Sequence, residues 1–175
     1  LSSIGTSSLS ASSQQSSVSQ ETLLGFVGLA VGRSDEIQVP TGYTAQAFVP
    51  WGTPLTGQLP PFKDDASNTG EEQEQQVGSH HDGLFYFPID AQSGGNNSEE
   101  GLLVMNHEYL DPDVFHAMGP SLIDGQRPTD EVRREIAAHG VSVIHIKKIN
   151  SEWQLVENSR FNRRITGSTS MEIRG

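Results

Sequence analysis

The segment Val141-Ser142-Val143-Ile144-His145-Ile146-Lys147-Lys148-Ile149 constrains the fold most. Its β-branched residues lose rotamer freedom in a helix, and their alternation reads as one long strand. Asn150-Ser151 supplies a two-residue turn, and Trp153 to Val156 returns as the second arm of a hairpin. The rest of the chain must therefore fit around an antiparallel sheet. Phe85-Tyr86-Phe87, stopped by Pro88, and Leu102 to Met105 read as strands on either side of a Gly- and Asn-rich loop over 91–100. Arg160 to Ile165 reads as another. Thr44 to Val49 is predicted to be a strand too, with Ala45, Ala47 and Val49 on one face and Phe48 on the other.

Only two helices are signalled. Thr69 is a predicted N-cap with Glu72 at the capping-box position, opening a polar surface helix over about 70–77 that Gly78 closes. Pro128, Thr129 as N-cap, Asp130 and Glu131 open the second, with an apolar stripe of Val132, Ile136 and Ala137. Short strands, turns and two short helices predict a mainly β fold. Propeller blades fit this pattern, although no internal repeat marks their number.

Residues 1–22 stand apart. Ten are Ser and no charge precedes Glu21, so a flexible tail is predicted there and a structured domain over 23–175. Residues 50–63 hold four prolines and read as an irregular connection. A length of 175 residues suits one domain or a piece of a larger one. The net charge of −11 argues against nucleic acid as a partner. That charge is uneven: residues 1–126 carry 16 acidic and 2 basic side chains, and 127–175 carry 6 and 9. The longest apolar run, Leu23 to Val31, is nine residues, where a spanning helix needs about 20. Without cysteine, disulfides, thiolate metal sites and a Cys nucleophile are excluded within this stretch. The opening at Leu1 is read as that of a processed or recombinant piece, already without any export signal.

Three constellations carry candidate chemistry. His80-His81-Asp82-Gly83 leads into the Phe85 strand; if extended, His80 and Asp82 face one way and His81 the other. Histidine suits transition metals and a carboxylate suits calcium, while a turn at Asp82-Gly83 with solvated histidines is the plainer alternative. Asn106-His107-Glu108-Tyr109 follows the Leu102 strand directly. There Asn106 and Glu108 share a face and offer an amide oxygen and a carboxylate, a pair suited to an oxygen-ligand cation, with a structural turn as the alternative. Asp111-Pro112-Asp113 reads as a solvated turn, and His116 has no companion in sequence. Arg160, Arg163 and Arg164 form the third group; arginine forks match phosphate oxygens, and a solvated basic strand is the alternative.

Taken in order, several stretches resemble the start of the PhoX-type alkaline phosphatases. They are Val39-Pro40-Thr41-Gly42-Tyr43 running on to Trp51-Gly52, Asp65-Ala66-Ser67-Asn68-Thr69, and His80-His81-Asp82-Gly83. Gly101 to Tyr109, His139-Gly140-Val141-Ser142-Val143 and Arg163-Arg164-Ile165-Thr166 follow. Each is weak alone, but their succession over about 23–175 is specific. The resemblance implies part of a six-bladed β-propeller, exported by the twin-arginine route to the periplasm or beyond. It also implies hydrolysis of small phosphate monoesters at a cluster of iron and calcium ions. It raises Asn106, Glu108 and Asp82 as metal-site candidates, with His81 and His107 as weaker ones, and Arg160, Arg164 and Arg163 as phosphate-binding candidates. A cysteine and further cluster residues come from later segments in that family. The remaining blades are thus expected beyond Gly175, and the 175-residue chain is expected to be inactive alone. The competing reading is a non-enzymatic, calcium-stabilised β module serving in binding or surface attachment.

Overall fold

The computed structural model describes residues 25–55, 61–89 and 95–175. The tail predicted over 1–22 lies outside them, as do parts of the loops predicted at 50–63 and 91–100. The chain divides into two compact units, 1–45 and 46–175. In the first, the described residues form neither helix nor strand. The turn expected at Pro40 is closed by the Tyr43 N–H on the Pro40 carbonyl (3.0 Å), and Phe26 packs edge-on against Tyr43.

The second unit is built on five antiparallel strands: β1 (His81–Pro88), β2 (Glu100–His107), β3 (Gly140–Ile149), β4 (Glu152–Leu155) and β5 (Arg163–Ile165). Strands β1 to β4 pair in sequence order, the up-and-down arrangement of a propeller blade. The sheet does not close on itself. Ser142 to Ile146 of β3 are all buried, which is why both of its faces read as apolar. Its outer edge is shared: Ile146 to Ile149 pair with β4, and Val141 to Val143 pair with β5. Asn162 bridges the gap between the two partners. Its Oδ1 accepts from the His145 N–H, and its Nδ2 donates to the carbonyls of Leu55 and Val156. Asn150 and Ser151 both take positive φ, the requirement of the tight hairpin turn. The core gathers Val49, Leu55, Val77, Met105, Ile144 and Ile146.

Three expectations are corrected here. Thr44 to Val49 forms no strand, because Val49 turns into the left-handed region (φ 54°) ahead of Pro50. Gln46 instead clasps Trp153 with its side chain, giving Nε2–H to the carbonyl (3.0 Å) and taking the N–H on Oε1 (2.9 Å). Helix α1 (Gly70–Gln73) has the predicted capping box but stops four residues early, and it is not wholly a surface element. Gln73 is buried, accepting from Trp51 Nε1–H (2.8 Å) and donating to the Val77 carbonyl (3.1 Å). Asp111-Pro112-Asp113 is no simple turn: Asp111 caps a four-residue helix, α2 (Pro112–Phe115), that drives Phe115 into a second small core.

Helix α3 (Thr129–Ala138) begins one residue earlier than expected, with Pro128 rather than Thr129 at the cap. It buries Ala137, Ala138 and Arg134, while Ile136 of the predicted stripe remains exposed. Arg134 donates to the Ala66 carbonyl and lies over the Phe115 ring. Among the described residues, no helix is long and apolar enough to cross a membrane.

Candidate functional site

The adjoining ends of β1 and β2 bring the first two sequence constellations together. His81 pairs with His107, and the Glu108 N–H continues the ladder one step further by donating to the His80 carbonyl (3.3 Å). The register slips between His81 and Leu84, and His80 has φ 46°. The simple alternation expected for His80, His81 and Asp82 is therefore not adopted: Asp82-Gly83 forms a bulge. On β2 the alternation holds. Met105 and His107 point inward, Asn106 is half-buried and Glu108 is exposed. Gly83 lies alongside Asn106, so Asp82, Asn106 and Glu108 sit on neighbouring strand ends.

The side chains of Asp82, Asn106 and Glu108 enter no hydrogen bond or ion pair among the described residues. Two carboxylates and an amide oxygen left free in this way fit the chemistry of a hard cation such as calcium. They would fill only part of its shell of six to eight oxygens. Among the described residues, no three His, Asp or Glu side chains converge as a metal-binding group.

His107, a weaker metal candidate from sequence, faces the interior instead. It is 2% exposed, and its Nε2 lies 2.7 Å from Ser142 Oγ. Its Nδ1 has no hydrogen-bond partner of good geometry, although the Ser79 carbonyl exerts a weak upward pull on its pKa. Burial first, then the charge of Arg164, pushes the imidazole down to about 3, so the ring is neutral. His81 meets that ring edge-on at 5.0 Å and places Nε2 3.2 Å from the Gly78 carbonyl. Desolvation by the surrounding protein, and Arg164, hold it below its ordinary range too.

The three arginines are not brought together. Strand β5 begins only at Arg163, which is exposed, while Arg160 precedes the strand and lies over the Phe161 ring. Arg164 turns inward. Its Nη1 donates to Ser142 Oγ (3.3 Å), and its Nη2 donates to the carbonyls of Ala137 (2.6 Å) and His139 (2.9 Å). Burial lowers its pKa to about 10. The sequence reading missed two polar groups. Ser142 lies in an otherwise apolar stretch, and that misfit was the available signal. His116, which has no companion in sequence, meets Glu135 (2.8 Å), and Arg127 binds Glu135 and Glu131 together.

Comparisons with known proteins bear on the fold and the family. The family model described as alkaline phosphatase PhoX matches residues 24–175. Among solved structures, PhoX of Pseudomonas fluorescens, in complex with vanadate, a transition state analogue, is similar with a TM-score of 0.71 and 31% identity. That match covers 81% of this chain but 23% of the relative, so the chain spans about a quarter of the relative's length. Comparison with curated proteins returns no significant match. The blade order of β1 to β4 is accordingly that of a partial β-propeller, and the chain belongs to the PhoX alkaline phosphatase family.

Proposed function

We propose that these residues form part of a metal-dependent phosphomonoesterase that releases inorganic phosphate from small phosphate monoesters. Family membership over residues 24–175 carries this reading, and the free oxygen donors at the β1–β2 ends support it. Vanadate in the Pseudomonas relative is described as a transition state analogue, which supports phosphoryl chemistry. Calcium and iron are the proposed ions, and the periplasm or the cell exterior is the proposed place of work. When bound, such ions supply Lewis-acid stabilisation of charge at the phosphoryl group and activate the attacking oxygen.

The chain's own residues do the holding. Glu108 and Asp82 offer carboxylates, and Asn106 offers an amide oxygen from a strand paired on both sides. Arg163 and Arg160 present exposed guanidinium groups able to attract a phosphate anion, whereas the fork of Arg164 is committed to the interior. The remaining ligands are proposed to come from sequence outside these 175 residues. The chain alone then attracts phosphate without a positioned nucleophile and turns over little substrate.

The test is p-nitrophenyl phosphate turnover at alkaline pH, comparing this chain with the whole enzyme. Chelator-sensitive turnover by the whole enzyme only, lost about a hundredfold in Glu108→Gln, is the expected result. Turnover by the whole enzyme that is indifferent to chelation and to Glu108→Gln would remove the metal reading. Calcium binding without any turnover would favour the non-enzymatic β module.

A further inference from the structure

We propose that Ser142 and Arg164 are positioning residues: through His107 they fix the strand end that presents Asn106 and Glu108. The proposal deepens the cation-site reading above and rests on it. It starts from the alternation of β2. Asn106 and Glu108 lie on one side and His107, between them, on the other, so whatever locks the His107 ring also fixes the backbone that carries its neighbours.

The lock can be followed atom by atom. Arg164 Nη1 donates to Ser142 Oγ, which leaves the serine hydroxyl hydrogen free to point at His107 Nε2 2.7 Å away. Nε2 is then the acceptor, and the proton of the neutral ring resides on Nδ1, on the side of the Ser79 carbonyl. Arg164 is itself held by the Ala137 and His139 carbonyls at the end of α3, so the chain of bonds begins on a fixed element. Packing closes the opposite side: a Cβ at Gly78 would fall 2.5 Å from His107 Cγ and 2.2 Å from the Ala138 carbonyl oxygen. The ring has no room to turn. Ser142 is fully buried, so water does not compete for its hydroxyl.

Such an arrangement is costly, since Arg164 Nε and His107 Nδ1 remain buried without good partners. An apolar pair at positions 107 and 142 would fill the space without the His107 share of that cost. The polar chain is explained if it sets the orientation of a strand end rather than its stability. Residues that orient metal ligands from behind commonly control affinity by about ten- to hundredfold.

The experiment compares Ser142→Ala with Ser159→Ala in the whole enzyme. Ser159 makes an equivalent bond to a histidine beside the other end of β2, 2.8 Å from His145 Nδ1. Calcium affinity by calorimetry, kcat and KM for p-nitrophenyl phosphate, Tm, and hydrogen exchange at the Glu108 amide are measured. Ser142→Ala is expected to lower calcium affinity and kcat by about tenfold or more, with KM within about twofold. Exchange at Glu108 is expected to quicken by about tenfold. Ser159→Ala is expected to leave all of these within about twofold while lowering Tm comparably. Arg164→Lys, which keeps the charge but loses the fork, is the second variant should Ser142→Ala fail to fold, and it is expected to shift the same quantities in the same direction.

Equal effects of the two serine variants, or a Ser142→Ala enzyme altered only in Tm, would overturn the proposal. If the unmodified enzyme neither binds calcium nor turns over substrate, the cation reading fails. Exchange at the Glu108 amide then still decides whether Ser142 fixes the strand end.

Discussion

Beside each end of β2 a buried histidine meets a serine, His107 at the last position of the strand and His145 against Glu100 at the first, and the two are treated in opposite ways. At one end His145 uses both ring nitrogens, Nδ1 with Ser159 and Nε2 with Glu100 at 3.0 Å, and Glu100 is tied in turn to Lys147. At the other end His107 has one good partner, the charge that bears on it most is the Arg164 cation, and no carboxylate bonds the ring. The first arrangement is what a structural site needs: every polar group paired, next to water. The second leaves buried hydrogen-bonding capacity unused beside the residues proposed to hold cations. Local rules of stability are broken beside the proposed cation site and kept away from it.

The largest expected effect tests how tightly the His107 end is built. Gly140 pairs with His107, has φ +109°, and leaves only 2.0 Å between an added Cβ and the Ile165 carbonyl oxygen. Gly140→Ala is therefore expected to cost about 3–5 kcal/mol, from backbone strain together with overpacking. Gly95 lies on the approach to the opposite end, also at positive φ (+85°), with nothing near its Cβ position. Gly95→Ala is expected to cost about 1 kcal/mol. Urea denaturation of both variants measures the difference. Equal losses would mean that φ alone matters and that the His107 end is not crowded.

Next comes the buried arginine. Arg164→Met strips hydrogen bonds from the Ala137 and His139 carbonyls and is expected to cost about 2–4 kcal/mol. Its neighbour Arg163 is exposed, and Arg163→Met is expected to stay within about 0.5 kcal/mol. A neutral Arg164→Met, measured the same way, would remove the anchor from which the Ser142 bond is argued.

What was legible in the sequence was what is settled locally. The β-branched run of β3, the Asn150-Ser151 turn and the Thr69–Glu72 capping box each depend on residues within a few positions, and each formed. The shared face of Asn106 and Glu108 was legible for the same reason, since alternation along a strand is local. What failed depends on distant partners. Thr44 to Val49 has strand-like alternation, yet Gln46 makes its bonds to Trp153, 107 positions away. The inward turn of Arg164 is set by carbonyls at the end of α3 and by Ser142, which no spacing rule connects to position 164. Arginine at the edge of a basic segment reads as solvated until the helix that covers it is known.

Acid separates the two ends by where stability begins to fall. Folded His107 remains neutral down to about 3, whereas its ordinary value is 6.5. Between those values the unfolded chain binds the extra proton, so stability is expected to fall as pH drops below about 6.5, with His81 acting in the same direction. Glu100 behaves differently. Lys147 first and His145 second hold its carboxyl below the ordinary 4.5, so its contribution is present above that value and lost as pH falls through the lowered one. In chelator-treated protein, Glu100→Gln is expected to weaken the loss below about 4.5 and to leave the slope above it intact. A flat stability curve from pH 6.5 to 4.5 in the unmodified chain would contradict a dry, neutral His107.

The smallest expected effect concerns the outermost charge at the His145 end. Glu99 approaches Lys148 at 3.7 Å, but its side chain is 62% exposed and that of Lys148 33%. Water and salt screen such a pair, and holding two long side chains together offsets much of the attraction, so Glu99→Gln is expected to change stability by no more than about 0.5 kcal/mol. The backbone around it does not depend on the carboxylate. The Glu99 carbonyl accepts from the Lys148 N–H at 2.7 Å, and its N–H donates to Asn97 Oδ1 at 2.9 Å, both independent of the side chain. Glu99 also lies at the opposite end of β2 from Glu108, so the same variant is expected to leave metal content and phosphatase turnover of the whole enzyme unchanged. Thermal denaturation at low and high salt is the measurement. A loss well above 1 kcal/mol that disappears in high salt would show that the His145 end depends on an extended charge network. Its stability would then not come from saturated hydrogen bonding, and the contrast with the His107 end would have to be drawn in charge instead.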